Sequence, residues 1–137
     1  MAYRVTDAVS YGVFEVNSAA VPTARCAVKL SSGLLIEAVD DDDRVLGILD
    51  AGDTDLVQGA AKVQIGGIAR CLVDGSGTSI AAEDPLMVGA GGVLVAWAAS
   101  AGTGLKYIVG YALEASTASG DIISVDLRIQ AINDTAA

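Results

Sequence analysis

The stretch that decides the fold is Tyr107 to Arg128, YIVGYALEASTASGDIISVDLR, in the last third of the chain. Its second half alternates between two faces, one with Ile123, Val125, Leu127 and Ile129, the other with Ser124, Asp126, Arg128 and Gln130. A period of two residues is typical of a β-strand that packs one face on a core and turns the other to water. The apolar run before it predicts a partner strand, and the small residues between them predict the connecting turn.

Shorter pieces of the same kind fill the rest of the chain. Residues 25–39 predict a hairpin, with Cys26, Val28 and Leu30 on one face of its first strand and Arg25, Ala27 and Lys29 on the other. Further short strands are predicted at 11–16, 45–49, 61–65, 68–73, 86–88, and 92–98. The pair Gly66-Gly67 either turns the chain or kinks one long strand as a bulge. Short strands punctuated by 16 glycines predict an all-β fold, a small β-barrel or sandwich of short antiparallel strands with Gly-rich turns.

Length and charge limit the classes of protein that the chain fits. Its 137 residues predict one domain at 11–137, preceded by an extended, polar N-terminal arm at 1–10. A net charge of −9 argues against a nucleic-acid partner, since phosphate backbones attract basic surfaces. The apolar runs are shorter than the roughly 20 residues that span a bilayer, so no membrane partner is expected. Apolar residues make up 53% of the chain but aromatic ones only 4%, which favours an oligomer or a docked protein.

The residues that usually carry catalysis are sparse. The chain has no histidine, which removes the commonest general base and most zinc sites. Cys26 and Cys71 are interpreted as free, buried thiols, with a disulfide as the alternative if their strands are neighbours in an oxidising compartment. No enzyme activity, metal or cofactor is therefore expected.

Three other groups of residues have a functional and a plainer interpretation. Asp40–Asp43 predicts a solvated acidic loop, with a Ca²⁺ site as the alternative because that ion takes carboxylate oxygens. For Glu114, Asp121 and Asp126, ordinary surface pairing is favoured over a shared carboxylate site. The aromatic residues Trp97, Tyr107 and Tyr111 are predicted to fill the core or a subunit seam, with a sugar pocket as the alternative.

Short motifs in the chain resemble a known family. They are VQIGGI at 63–68, IAAEDPLM at 80–87 with the turn 91–93 after it, and IVGYALEASTASGDIISVDL at 108–127, and VLGIL at 45–49 fits as well. Together they resemble the small β-barrel capsid decoration, or cement, proteins of tailed bacteriophages. Glu83 departs from the pattern, because many relatives have Gly at that place in the turn.

The resemblance implies a structural virion protein without enzyme activity. Such a protein is assembled in the bacterial host cytoplasm, binds the major capsid protein on the outer surface of an icosahedral head as a homotrimer, and stabilises the expanded head. Position and residue type make Tyr3, Arg4, Tyr11 and Phe14 the candidate capsid or subunit contacts, since aromatic and Arg residues are the usual anchors of interfaces.

Other functions remain open from the sequence. A different virion β-protein, such as a head fibre base or a tail component, would share the fold and differ in its attachment site. A glycan-binding or Ca²⁺-binding β-module would use the aromatic residues or the Asp40–Asp43 loop.

Overall fold

A computed structural model of the chain describes residues 10–39, 43–50, 59–97 and 104–134. This part of the chain is built from β-strands with a single 3-10 turn at Ala90–Gly92, so the predicted all-β class is confirmed. The strands are β1 (Ser10–Glu15), β2 (Ala27–Ser31), β3 (Leu34–Glu37), β4 (Gly47–Leu49), β5 (Ala60–Asp74), β6 (Pro85–Val88), β7 (Leu94–Ala96), β8 (Gly104–Ala112) and β9 (Ser119–Asp134). Ser10, assigned to the arm from the sequence, begins β1, and the rest of the predicted arm lies outside the described residues.

The strand pairings form one sheet that curls into two small rings sharing β5. The N-terminal ring runs β3-β2-β4-β5-β1, and a single parallel bridge between Val16 and Leu35 closes it. The C-terminal ring runs β5-β7-β6-β8-β9 and returns to β5. Its closure depends on one parallel bridge, Val73 to Leu94. The predicted small β-barrel or sandwich is consistent with this architecture, in which β5 and β9 are longer than the other strands and two bridges are parallel.

β5 passes from one ring to the other at a kink. Its first half pairs with β1 and β4, its second half pairs with β9 and β7, and Gly66-Gly67 lie between the halves. Gly67 has φ of +84°, a conformation that residues with a Cβ rarely adopt. The buried side-chain amide of Gln64 donates to the carbonyls of Gly66 at 3.0 Å and Ile68 at 2.8 Å, which braces the bend. Of the two sequence interpretations, the kinked long strand is correct.

Two separate hydrophobic clusters fill the rings. The larger lies mainly in the C-terminal ring and the smaller in the N-terminal ring, where its members are Val16, Val28, Leu35, Leu49, Ala61 and Val63. Neighbouring residues of β2 and β4 belong to different clusters: Ala27 and Ile48 to the larger, Val28 and Leu49 to the smaller. Both faces of the β2–β4 pair are therefore buried, and the pair forms a wall between the two cores.

This wall corrects one prediction about the hairpin. The sequence placed Ala27 on the polar face of β2 with Arg25 and Lys29, yet Ala27 is fully buried. Arg25 precedes the strand and has a positive φ of 68°, which breaks the expected alternation. The hairpin itself is confirmed, with β2 and β3 pairing antiparallel around the Ser32-Gly33 turn.

The decisive C-terminal stretch folds as predicted. β8 and β9 pair antiparallel, and Ile123, Val125 and Leu127 are buried in the larger cluster. The middle of β9 pairs on both edges, since Leu127 lies opposite Gly67 of β5 and Gly110 of β8. Ile108 lies opposite Gln130 and Gly110 lies opposite Leu127, so β9 has one extra residue, a bulge, at this point.

Candidate functional site

The outer face of β1 carries the most exposed large apolar residue of the described part of the chain. Val13 is 72% exposed and Tyr11 is 47% exposed, and Glu15 follows on the same face because alternate residues share a side of a strand. We call Tyr11, Val13 and Glu15 the β1 ridge. Lys62 of the adjoining strand flanks it, with its ammonium 4.7 Å from the centre of the Tyr11 ring and 4.0 Å from the Asp50 carboxylate.

The opposite face of β1 packs inward. Phe14 is half-buried against the smaller cluster, and its ring lies so close to Gly12 that a Cβ there would approach the ring at 2.6 Å. Phe14 thus contributes to the core of the N-terminal ring.

The four predicted contact residues are placed as follows. The structure puts Tyr11 on the surface and Phe14 against the core, and Tyr3 and Arg4 lie outside the described residues. Their contact role stays a prediction. Val13 was missed, although the alternation that places Tyr11 outward places Val13 beside it.

An apolar groove of about 650 Å³ lies where the N-terminal ring meets β8 and β9. Its lining includes Leu30 at 44% exposure and Ile65 at 38%, together with Leu46, Tyr107 and Ile129. Of the described residues that line it, Arg44 alone is charged. We call this feature the apolar groove, and none of the β1 ridge residues of the same chain lines it.

A second groove of about 650 Å³ is more polar and lies over the outer face of β8 and β9. Its side chains hold one another: Gln130 donates to the Tyr111 hydroxyl at 3.0 Å, and the Arg128 Nε donates to Asp126 at 2.9 Å. Glu83, at its rim, has φ of +76°, a conformation that residues with a Cβ rarely adopt. Two of the aromatics considered from the sequence, Tyr107 and Tyr111, thus line different grooves, and Trp97 lines neither.

The carboxylates at 114, 121 and 126 have separate partners. Glu114 accepts hydrogen bonds from the Ser124 backbone N–H at 2.6 Å and from Arg70 at 2.7 Å. The bonds from Ser124 are the main cause that lowers the pKa of Glu114, and Arg70 adds to them. Asp121 accepts from the Ser116 hydroxyl at 2.8 Å, and Asp126 pairs with Arg128. Ordinary pairing, as favoured from the sequence, is confirmed.

The acidic loop is described only at its end. Asp43 pairs with Lys29 at 2.7 Å and also accepts from the Val39 backbone N–H at 2.7 Å, while residues 40–42 lie outside the described residues. Within the described ranges, the structure contains no cluster of three metal-ligand side chains. Because residues 40–42 lie outside those ranges, the Ca²⁺ alternative for Asp40–Asp43 stays a prediction.

Both cysteines are free and buried, as predicted. Burial raises the pKa of the Cys26 thiol to about 11, with the Glu37 charge adding to the shift. Burial raises the pKa of Cys71 to about 12, against the opposing influence of Arg25. Because the thiolate is the nucleophile, neither side chain is activated for chemistry near neutral pH.

Comparisons with known proteins assign no family. No family model matches the chain, and no curated protein matches it. In the described part of the chain, no helix has the length and apolar character needed to cross a membrane.

Proposed function

We propose that this protein is a structural virion protein that binds the outer surface of an icosahedral phage capsid as an oligomer, most simply a homotrimer, and stabilises the expanded head. The observation that carries the proposal is where the resembling motifs lie in the fold. VQIGGI contains the kink of β5, IAAEDPLM leads into β6, and 108–127 covers the second half of β8 and the first half of β9. Motifs far apart in sequence thus supply the shared strand and three further strands of one ring.

The surface chemistry supports a docking role. The apolar β1 ridge and the apolar groove are both open to solvent in the single chain, and apolar patches of this kind are typical of interfaces. The net charge of −9 suits a protein that faces outward and does not touch the packaged DNA. Many copies of a modest contact, each bridging neighbouring capsid subunits, would together resist internal pressure.

Co-sedimentation tests the proposal directly. Purified protein is mixed with expanded capsids that lack it, and with unexpanded procapsids as the comparison. Saturable binding to expanded shells, together with a raised temperature of DNA release, is the expected result. Absence of binding to both kinds of shell contradicts the proposal.

The predicted role of the N-terminal residues has its own variant. Deleting residues 1–9, which include Tyr3 and Arg4, removes the chain up to the start of β1 and leaves the described strands whole. We expect weaker sedimentation with expanded capsids and an unchanged circular dichroism spectrum. The matched control keeps the nine residues in scrambled order, and equal binding by all three proteins contradicts a contact role for this segment.

A further inference from the structure

Two exposed surfaces of this chain complement each other in shape and apolar character. The β1 ridge projects an aromatic ring and a branched aliphatic side chain into solvent, at 47% and 72% exposure. The apolar groove is concave, and its volume of about 650 Å³ falls in the range of sites that enclose small ligands. A tyrosine ring and a valine side chain are smaller than such ligands, so the groove has room for both.

The charges on the two surfaces also match. Among the described residues, Lys29, Lys62, Arg70 and Arg128 each have a carboxylate within 4.0 Å, whereas Arg44 in the groove has none. Glu15, at the end of the ridge, likewise has no ion pair with any described residue. Counting described residues alone, one surface therefore offers a cation without an ion pair beside apolar side chains, and the other a carboxylate without an ion pair beside apolar side chains.

We propose that the β1 ridge of one copy docks in the apolar groove of a second copy, with Glu15 facing Arg44. On docking, Tyr11 and Val13 pack against Leu30, Ile65 and the neighbouring apolar side chains of the groove. Removal of this apolar surface from water supplies the driving force. The Glu15–Arg44 pair fixes the direction of docking, because electrostatic complementarity selects the register more than it adds affinity. Each copy has one ridge and one groove, so the contact joins copies as a two-fold pair or as a ring, or as an open chain where the rotation between copies does not close.

This contact deepens the oligomer named in the proposed function, since it identifies the surfaces that join the copies. It does not require a capsid, and its test uses the full-length chain alone in solution. A chain that does not self-associate would therefore contradict this contact and not the proposed capsid binding. A chain that does not bind capsids would contradict the proposed function and not this contact.

Charge reversal at the two positions tests the contact. Sedimentation equilibrium of the wild type is expected to give a multiple of the 13.7 kDa chain mass. Glu15→Arg alone and Arg44→Glu alone each place like charges together and are expected to weaken association by about tenfold or more. The double variant restores opposite charges in reversed order, and we expect its association to return close to the wild-type value.

Mixing the two single variants gives an independent readout. Each ridge of one variant then meets a compatible groove of the other, so a pair or an even-membered ring re-forms with every contact matched. A three-membered ring must keep one contact between like charges and stays weakened. The mixture thus reports whether the number of copies in a closed assembly is even or odd, as well as the contact.

Matched controls reverse charges elsewhere on the surface. Glu83→Arg and Arg128→Glu make the same changes in net charge on exposed residues outside the ridge and the apolar groove. Both are expected to associate like the wild type. A wild type that stays monomeric at its highest soluble concentration overturns the proposal, as does a double variant no better than the single ones.

Discussion

Gln64 is a polar residue that the fold buries for a structural reason. It is 4% exposed, and its amide donates to two carbonyls on either side of the Gly66-Gly67 kink. An intramolecular hydrogen bond contributes about 0.5–1.5 kcal/mol to stability on balance, and the Gln64 amide makes two. The side chain thus stabilises the point at which β5 passes from one core to the other.

Replacing Gln64 should therefore destabilise the protein measurably. Gln64→Leu keeps the approximate size but removes both hydrogen bonds, and we expect the free energy of unfolding to fall by about 1–3 kcal/mol. Urea denaturation followed by circular dichroism measures the change. Gln130→Leu, at an exposed amide with one hydrogen bond, is the control and should change stability by less than about 0.5 kcal/mol. Equal losses in the two variants contradict the bracing role.

The buried thiols make stability depend on pH in the alkaline range. The folded-state pKa values of about 11 for Cys26 and about 12 for Cys71 lie above the ordinary value of 9.0, so the folded state holds these protons more tightly. Their contribution is fully present below pH 9 and is lost as the pH rises toward 12. We expect unfolding free energy to decline over this interval, and to decline less steeply in the Cys26→Ala/Cys71→Ala variant.

Thiol labelling checks the same burial without a pH series. At pH 8 the native protein should react with a disulfide reagent only as fast as it unfolds, and both thiols should react at once in urea. Rapid labelling of the native protein would show that a thiol is accessible, and the pH argument would then lose its basis.

At the scale of the elements, β9 could be predicted from its alternating apolar and polar residues because one of its faces is buried and the other is polar. β4 has no such alternation, since all three of its residues are buried and the strand lies between two cores. The same wall explains why Ala27 was misplaced. Phe14 is a predicted contact because aromatic residues anchor interfaces, and its position in β1 places it on the face opposite Tyr11 and Val13.

Gly110 allows β8 and β9 to approach closely at the bulge. A Cβ at this position would collide with the backbone carbonyl oxygen of Asp126 and would lie 3.0 Å from the side chain of Val125. Because a backbone atom cannot swing away as a flexible side chain can, the strands would have to separate. Glycine is therefore required here by space, since its φ is not positive.

Gly110→Ala is expected to lower the free energy of unfolding by about 1–3 kcal/mol, the usual cost of overpacking. Gly77→Ala is the matched control, because a Cβ there meets nothing within 4 Å and its φ is not positive. That variant should be neutral or slightly stabilised. Thermal unfolding of the two proteins measures the difference, and similar midpoints would contradict the close approach.

At the scale of the whole molecule, the sequence predicted a small barrel or sandwich, and the structure has one sheet that curls into two rings. The number of rings could not be predicted because β5 belongs to both. The hydrophobic alternation of a strand with one buried face is the same whichever core that face contacts. The closing bridges join residues distant in sequence, such as Val73 with Leu94, through parallel contacts that leave no local pattern. The polar and apolar grooves likewise could not be predicted from the sequence, since each is lined by residues from several separate segments of the chain.

The two rings should nevertheless unfold as one unit. They share β5, and the β2–β4 wall places residues in both clusters, so neither core can be exposed without disturbing the other. The C-terminal ring also packs closely on this wall at Gly92. The approach is so close that a Cβ on Gly92 would lie 2.9 Å from the carbonyl oxygen of Ala27. Shared walls of this kind favour a two-state transition in a chain of this size.

A truncation in one ring, observed from the other, tests this cooperativity. Leu35 is fully buried in the smaller cluster, and Leu35→Ala should cost about 2–5 kcal/mol of unfolding free energy. Trp97 follows β7 in the C-terminal ring, where its backbone N–H donates to Pro85, so its fluorescence reports on that ring. We expect the fluorescence and circular dichroism midpoints of the variant to fall together, because loss of one core removes a face of the shared strands. Val21→Ala, which shortens an aliphatic side chain that is 51% exposed, should leave both midpoints unchanged. A fluorescence transition that stays at the wild-type midpoint in Leu35→Ala, beside an earlier circular dichroism transition, would mean that the rings unfold separately and that β5 does not couple them.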